Sequence, residues 1–294
     1  MPFRALLLVN PRARRGAEGA EKIAAGLRRA GLELVIEASG DPSILPALIH
    51  RHAREVDRVV VAGGDGSINH AVRFLVEVGL PLAIIPAGTA NNLARTVGLP
   101  LDLEGAIAVA AGSYRRPVDL GRVNGRWFCT TASIGLSVQI TEELSPESKR
   151  RWGPIAYGLT AMRVLRRSHP FHADVSWEGG TRHTRSVQIV VGNGRHYGAA
   201  LAVAPDAAID DARLDLYSME VNHWWELLKV APFLKGGTHV HRREVEALRA
   251  KVFEIRTRRP MPIDVDGELG AETPGRFEVV PRAMEVFTPE PSPA

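Results

Sequence analysis

The 294-residue sequence predicts an N-terminal α/β domain built on a parallel sheet, followed by a C-terminal antiparallel β-sandwich domain. Three observations predict this. Up to about residue 120, near-continuous apolar strands alternate with amphipathic stretches of helical period. Beyond it, short alternating strands are separated by loops rich in Gly, Asp and Pro. In the first part, polar turns follow strands after Val9, Ala62 and Ile85, and ligands of open α/β sheets bind outside the carboxyl ends of strands.

Arg4–Val9 reads as a buried strand ended by Asn10-Pro11. The basic turn Arg12-Ala13-Arg14-Arg15 leads into a helix over 17–30, which Gly31 stops. A second strand covers 32–37, and Asp41-Pro42 caps and opens a helix carrying Leu45, Leu48 and Ile49. The third strand runs into Gly63-Gly64-Asp65-Gly66-Ser67-Ile68-Asn69 and a helix with Ile68, Ala71, Val72 and Leu75 on one face. A fourth strand, 81–85, enters Pro86-Ala87-Gly88-Thr89-Ala90-Asn91-Asn92. A helix over 101–111 and a strand at Arg115–Val123 lead into the second region. Its strands are expected at 127–132, 172–177, 186–191, 213–218, 251–256, Pro262–Val265, 277–280 and 284–287. Helical insertions at 154–167 and 222–234 interrupt them, and a Pro-rich tail ends the chain.

Composition narrows the partners. With 37 Lys and Arg against 33 Asp and Glu, the charge is too mild to imply nucleic acid, but it suits an anionic ligand or membrane surface. Cys129 is the single cysteine, which excludes an intrachain disulfide and fits a reducing compartment. No apolar run approaches the ~18 residues needed to span a bilayer, so membrane contact is expected to be peripheral. The ten histidines form no zinc spacing, and neither a Gly-x-Ser-x-Gly elbow nor a P-loop occurs.

Several stretches carry candidate chemistry. Glycines at 63, 64 and 66 allow close backbone approach, and the free N–H groups of a helix start favour phosphate. Asp65 stands among them, where a phosphate-bound Mg²⁺ or an acceptor hydroxyl can meet it. Asn10-Pro11 with Arg12 and Arg14 offers donors and positive charge, or is simply a solvated basic turn. Gly88-Thr89 precedes another helix start and reads equally as a cap. If Asp264-Val265-Asp266-Gly267-Glu268 is extended, Asp266 and Glu268 share a face and raise each other's pKa; if Asp-Gly forms a turn, both are solvated. Asp206, Asp210, Asp211 and Asp215 form either a cation site or a solvated loop. Lys149-Arg150-Arg151-Trp152, Arg163, Arg166-Arg167 and Trp224-Trp225 suit an anionic membrane interface or cationic rims of packed helices.

In order and spacing, these segments resemble the diacylglycerol kinase catalytic-domain family, in particular bacterial lipid kinases of the diacylglycerol and sphingosine type. The resemblance rests on Asn10-Pro11, 63–69, 86–95, Val118-Asp119-Leu120-Gly121, Gly192-Asn193-Gly194, Asp210-Asp211 and Asp266-Gly267-Glu268. It implies a nucleotide-binding α/β domain over 1–121, completed by 281–294, and a lipid-substrate β-sandwich domain over 122–280. The active site would lie in the cleft between them. ATP would be contacted by Asn10, Pro11, Arg12, Ala13, Arg14, Gly63, Gly64, Asp65, Gly66, Ser67, Ile68, Asn69, His70, Gly88 and Thr89. Glu268 would be the general base and Asp65 the acid that organises Mg²⁺ and phosphate. Asp211, with backbone oxygens of Ala208 and Arg213, would bind a structural metal, with Asp119 supporting it through water. The implied protein is a cytoplasmic enzyme, peripheral at the inner membrane surface, with a lipid substrate, no nucleic-acid partner and a homodimer left open. His70 stands where the family usually has glutamate, Asn92 where it has aspartate, Ser67 for threonine and Ala212 for glycine. NAD kinases and phosphofructokinases share the Gly-Gly-Asp-Gly turn, so a soluble-substrate kinase is one rival. A non-catalytic binding protein is the other.

Overall fold

The computed structural model describes residues 3–9, 16–143, 160, 163–164, 167–197, 201–204, 206–221, 226, 230, 233 and 236–291. The first part runs β1 (Arg4–Val9), α1 (Gly16–Arg29), β2 (Glu33–Ala38), α2 (Leu45–His52), β3 (Arg58–Gly63), α3 (Asp65–Val78), β4 (Leu82–Pro86), α4 (Asn92–Thr96) and α5 (Leu103–Ala111). β2, β1, β3 and β4 are parallel neighbours in that order. Their side chains alternate between two buried layers. Leu6, Leu8, Val59, Val61, Leu82 and Ile84 pack with α2 and α3. Ala5, Leu7, Val60, Ala62, Ala83 and Ile85 pack with α1 and α5. Covering both faces is what makes these strands apolar throughout. Gly31 ends α1 at φ 94°, and Asp41 caps the short turn before α2 by accepting from Ser43 N at 2.9 Å.

The second part comprises β5 (Arg115–Val123), β6 (Arg126–Phe128), β7 (Thr131–Gly135), α6 (Leu136–Glu143), β8 (Phe171–Trp177), β9 (Gly180–Ser186), β10 (Gln188–Gly192), β11 (His196–Tyr197) and β12 (Leu201–Ala202). It continues through β13 (Leu214–Met219), β14 (Val245–Ala250), β15 (Val252–Thr257), β16 (Pro262–Val265), β17 (Glu268–Glu272) and β18 (Gly275–Phe287). β18 and β5 are long antiparallel partners that pass through both architectures. The end of β18 meets β4 at Val286 and Leu82, while its start pairs with β15. The N-terminal sheet is therefore mixed and runs on into the sandwich as one ten-stranded sheet. Between the halves the register slips at Val280 and Met284, where Asp119 accepts Arg282 N at 2.8 Å. The facing sheet has the order β14-β13-β10-β7-β16-β17 and is antiparallel throughout. Phe128, Ile134, Phe253, Ile263 and Phe277 fill the space between the two sheets.

The strand expected over 127–132 is two strands in different sheets. β6 pairs with β5, and β7 with β10 and β16. The chain changes sheet at Cys129 and Thr130, because the Asp266 carboxylate accepts the N–H groups of Cys129, Thr130 and Thr131 at 2.6, 3.0 and 3.0 Å. β9 has too polar a sequence to read as a strand, and it lies at a sheet edge where most of its side chains are exposed. Of the predicted insertions, Thr160, Arg163, Val164, Arg167, Glu226, Val230 and Phe233 are described, as helical residues. The rest of them, Lys149-Arg150-Arg151-Trp152, and Asn10 to Arg15 lie outside the described residues. No described helix is long and apolar enough to cross a membrane.

Candidate active site

The turns after β3 and β4 touch. A Cβ on Gly88 would lie 2.6 Å from the Cα of Gly64, so these glycines bring one loop backbone onto the other. Gly63 is covered by Ser67, whose Oγ would lie 2.6 Å from an added Cβ. Gly66 is different: nothing lies within 4 Å of its Cβ position, and it lines a cavity of about 290 Å³ with Ser39, Gly40, Pro42, Gly64, Ser67 and His70. α3 begins there at Gly64 with no side-chain cap, which leaves the N–H groups of its first turn available to an anion. Ile68 is fully buried in the core, so only its backbone is available to a ligand.

Asp65 reaches out of this turn to the next one. Its Oδ1 accepts Asn92 N at 2.6 Å and Leu93 N at 3.4 Å, so it caps α4 from another loop. Asn91, at φ 50°, closes its own loop by exchanging hydrogen bonds with Gly88 at 3.0 and 2.9 Å. Burial raises the Asp65 carboxyl above the usual carboxylate range, opposed by these backbone donors. Asn92 is buried, and its Oδ1 has no partner among the described residues. Thr89 is exposed and lines neither cavity of this cleft.

From the sandwich comes the β16–β17 hairpin. Asp266 and Gly267 have φ 51° and 91°, the signature of an Asp-Gly hairpin turn. The two acids therefore do not share a face, nor are both solvated. Asp266 points inward, taking three backbone N–H groups and the Thr130 hydroxyl at 2.6 Å. Its carboxyl is raised by burial and lowered by those donors. Glu268 points outward to α3, where its Oε1 lies 3.0 Å from His70 Nε2. That bond raises His70 above the ordinary histidine range, with burial opposing it.

A second cavity, of about 450 Å³, opens on the Glu268 side, lined among others by Asn69, His70, Arg73, Phe74, Arg126 and Trp127. Pro42 and His70 line both cavities, so the two meet there. Arg73, Phe74, Arg126 and Trp127 were not among the sequence candidates. The signal for the last two was Asn124-Gly125, a hairpin dipeptide that starts a strand at Arg126.

The expected metal segment is bound up in protein contacts. Asp210 pairs with Arg116 at 2.6 Å, Asp206 and Asp215 pair with Arg249 at 3.2 and 2.7 Å, and Asp211 accepts Arg213 N at 3.0 Å. Asp119 is buried, and its two oxygens are taken by Ala212 N and Arg282 N at 2.6 and 2.8 Å. Among the described residues no three His, Cys, Asp or Glu side chains converge. Gly121 and Asn193 are also structural. A Cβ on Gly121 would strike Phe128 at 2.0 Å, and Asn193 Nδ2 ties the carbonyls of Asp119 and Cys129 at 2.8 and 3.1 Å.

A mixed α/β sheet that offers an open helix start toward a β-sandwich carboxylate defines a two-domain kinase architecture. Residues 4–123 match the diacylglycerol kinase catalytic domain, and residues 130–288 match the YegS C-terminal NAD kinase beta sandwich-like domain. The chain is 30% identical to a diacylglycerol kinase of Mycobacterium tuberculosis (strain ATCC 25618 / H37Rv), covering 96% of this chain and 94% of that one. It is 29% identical to a diacylglycerol kinase of Bacillus subtilis (strain 168), covering 81% and 79%. A solved chain from Bacillus anthracis str. Sterne, named as a candidate diacylglycerol kinase, superposes with TM-score 0.85 at 26% identity, covering 98% and 96%. The protein belongs to the diacylglycerol kinase family.

Proposed function

We propose that this protein is a lipid kinase that transfers the γ-phosphoryl group of ATP to a primary hydroxyl of diacylglycerol or a related lipid. The observation that carries this reading is the junction of two cavities at His70: the helix-start cavity on one side and the Glu268 cavity on the other. A polyphosphate fits the first, where Gly66 is open and α3 is uncapped. Asp65 and Asn92, whose buried Oδ1 has no partner among the described residues, would hold a Mg²⁺ that would draw charge off the phosphates.

The acceptor hydroxyl approaches from the Glu268 side. Its oxygen forms a bond to the γ-phosphorus as the bond to the β–γ bridging oxygen breaks, and ADP leaves with that electron pair. The hydroxyl proton passes to Glu268. The chain contributes mostly position and charge: backbone N–H groups at the start of α3 and the clasp between Asp65 and α4. In this reading residues 1–121 with 281–294 hold the nucleotide, residues 122–280 hold the lipid, and the enzyme works at the cytoplasmic membrane surface.

Labelled-ATP transfer to a total lipid extract, with products identified by mass spectrometry, tests this. A lipid that gains one phosphate is expected. Transfer to NAD or fructose 6-phosphate with none to lipid would overturn it, as would nucleotide binding without transfer.

A further inference from the structure

We infer that Asp264, tied to Thr141 of α6, is a positioning residue for Glu268: its carboxylate fixes the 266–267 turn against that helix and so sets where Glu268 stands in the cleft. The inference rests on the kinase reading above, in which Glu268 is the base, and adds two residues to the support of that site.

The hairpin that carries Glu268 is lightly held by its own ladder. β17 ends the strand order of the facing sheet, beside β16. Ile263 pairs with Ala271 but Asp264 pairs with Leu269, which leaves Gly270 as an extra, bulged residue on β17. Two pairs, Asp264 with Leu269 and Val265 with Glu268, lie between that bulge and the turn. The Asp-Gly turn at positive φ gives the hairpin its local shape without further help. It does not fix the direction in which the tip leans.

Asp264 supplies that direction. Its side chain is buried. Oδ1 accepts Gly267 N at 2.8 Å, and Oδ2 accepts the Thr141 hydroxyl at 2.9 Å. A carboxylate taken out of water needs such donors, and bonds to it are stronger than those between neutral groups. In an extended strand Asp264 and Asp266 would share a face. The left-handed backbone at Asp266 separates them: Asp266 grips residues 129–131, while Asp264 reaches α6. The tip is thus clamped by two carboxylates, one bound to the sheet crossover and the other to a helix.

α6 is a firm anchor. It leaves β7 at Gly135, φ 106°, and lies over β7 and β16. Ser137 and Thr141 are one turn apart on one side of it. Ser137 N and Oγ bond the Gln188 side-chain amide at 2.8 and 2.9 Å. The Ser137 Oγ also lies 2.7 Å from that of Ser133, the cross-strand neighbour of Asp264. Val138 and Ile140 are buried. The line of support runs from Gln188 through Ser137 and Thr141 to Asp264 and Gly267, the residue before Glu268. Misplacing a reacting group by about 1 Å costs about a hundredfold in rate, so this support bears on turnover.

His70 reports the position of Glu268 without any transfer, because their contact raises the imidazole above its ordinary value. The test follows kcat and KM for ATP with a total lipid extract as acceptor, and the His70 titration by nuclear magnetic resonance. His70→Gln assigns the signal, and every variant is measured well below its own Tm. Asp264→Ala is expected to lower kcat by about tenfold or more with KM for ATP unmoved, and to lower the His70 titration toward the ordinary histidine value. Asp264→Asn keeps an oxygen for Gly267 N and an amide for the Thr141 oxygen, so it is expected to restore most of both. Thr141→Val should move both readouts in the direction of Asp264→Ala, and Thr141→Ser should restore them. A folded Asp264→Ala with wild-type turnover or a wild-type His70 titration would overturn the inference. So would a rise in KM for ATP alone, or an Asp264→Asn as impaired as Asp264→Ala. If Asp264→Ala does not fold, Thr141→Val is judged by the same outcomes, with Thr141→Ser as its rescue. If wild type transfers phosphate to no lipid, the kinase reading has failed and the titration decides the inference separately. A fall in Asp264→Ala that Asp264→Asn reverses supports it, and an unmoved titration overturns it.

Discussion

His70 and Glu268 meet across the cleft, Nε2 to Oε1 at 3.0 Å, joining the first helix turns after the glycine loop to the hairpin of the sandwich. The family resemblance implies a glutamate at position 70, which would repel Glu268; histidine binds it instead. The proposed base is therefore held by a titratable imidazole whose pKa this contact raises.

The first prediction concerns pH. The Glu268 hydrogen bond raises His70 above the ordinary histidine value of about 6.5, so at that pH and below His70 is largely protonated. The imidazolium then ties up the carboxylate and makes it a poorer proton acceptor. Turnover is expected to rise with pH as His70 loses its proton, with a midpoint above 6.5 or so. His70→Gln should move that acid limb to lower pH. A pH–rate profile unchanged by the substitution would exclude the coupling. Stability follows the opposite course. The folded-state value is raised, so the pair stabilises fully below the unfolded histidine value, and the effect is lost as pH rises through the raised one. Both groups are partly exposed, which limits that stability effect to less than about 1 kcal/mol.

Asp65→Asn tests the clasp. Asparagine retains an oxygen for Asn92 N and Leu93 N but loses the charge that strengthens both bonds. A loss of about 1 kcal/mol in denaturant unfolding is expected, in line with removing a helix cap. Activity should fall by about a hundredfold or more if the carboxylate also acts on the phosphates. Loss of stability with normal turnover would leave Asp65 as a cap alone.

Gly88→Ala separates the two readings of a glycine-rich loop. If the residue only admitted ligand, alanine would hinder nucleotide and leave the fold intact. The structure places the new Cβ 2.6 Å from Gly64 Cα, a backbone atom that gives way only if the loops part. Both a lower Tm and a raised KM for ATP are expected. An unchanged Tm would show that the loops are not packed as described.

The distinction shows what was legible in the sequence. The parallel strands were, because both faces are buried and every residue of β3 is apolar or small except Arg58. The turn from β3 into α3 was, because few arrangements follow such a strand with three glycines and an amphipathic run. The sheet change at Cys129 was not. It depends on a carboxylate 136 residues away from Thr130 that gathers three N–H groups, and no local pattern encodes that. For the same reason the sequence left the Asp206–Asp215 acids open between a cation site and a solvated loop: the arginine partners of Asp206, Asp210 and Asp215, Arg116 and Arg249, come from strands distant in sequence.

The last prediction divides the Asp266-Gly267-Glu268 segment. Asp266 accepts four hydrogen bonds from residues 129–131 and fixes the crossover between the two sheets. Asp266→Ala strands three backbone donors in a largely dry junction, at about 1–3 kcal/mol each if none is resatisfied. That is enough to unfold a domain of ordinary stability. Glu268 is half exposed and pairs with His70 across the cleft. Glu268→Gln should leave the unfolding midpoint within about 0.5 kcal/mol of wild type while lowering turnover by about a hundredfold or more. Circular dichroism and labelled-ATP transfer on both variants check the pair. If Asp266→Ala folds normally and loses only activity, the inward acid is chemical rather than structural. If Glu268→Gln turns over at the normal rate, proton acceptance belongs elsewhere in the cleft.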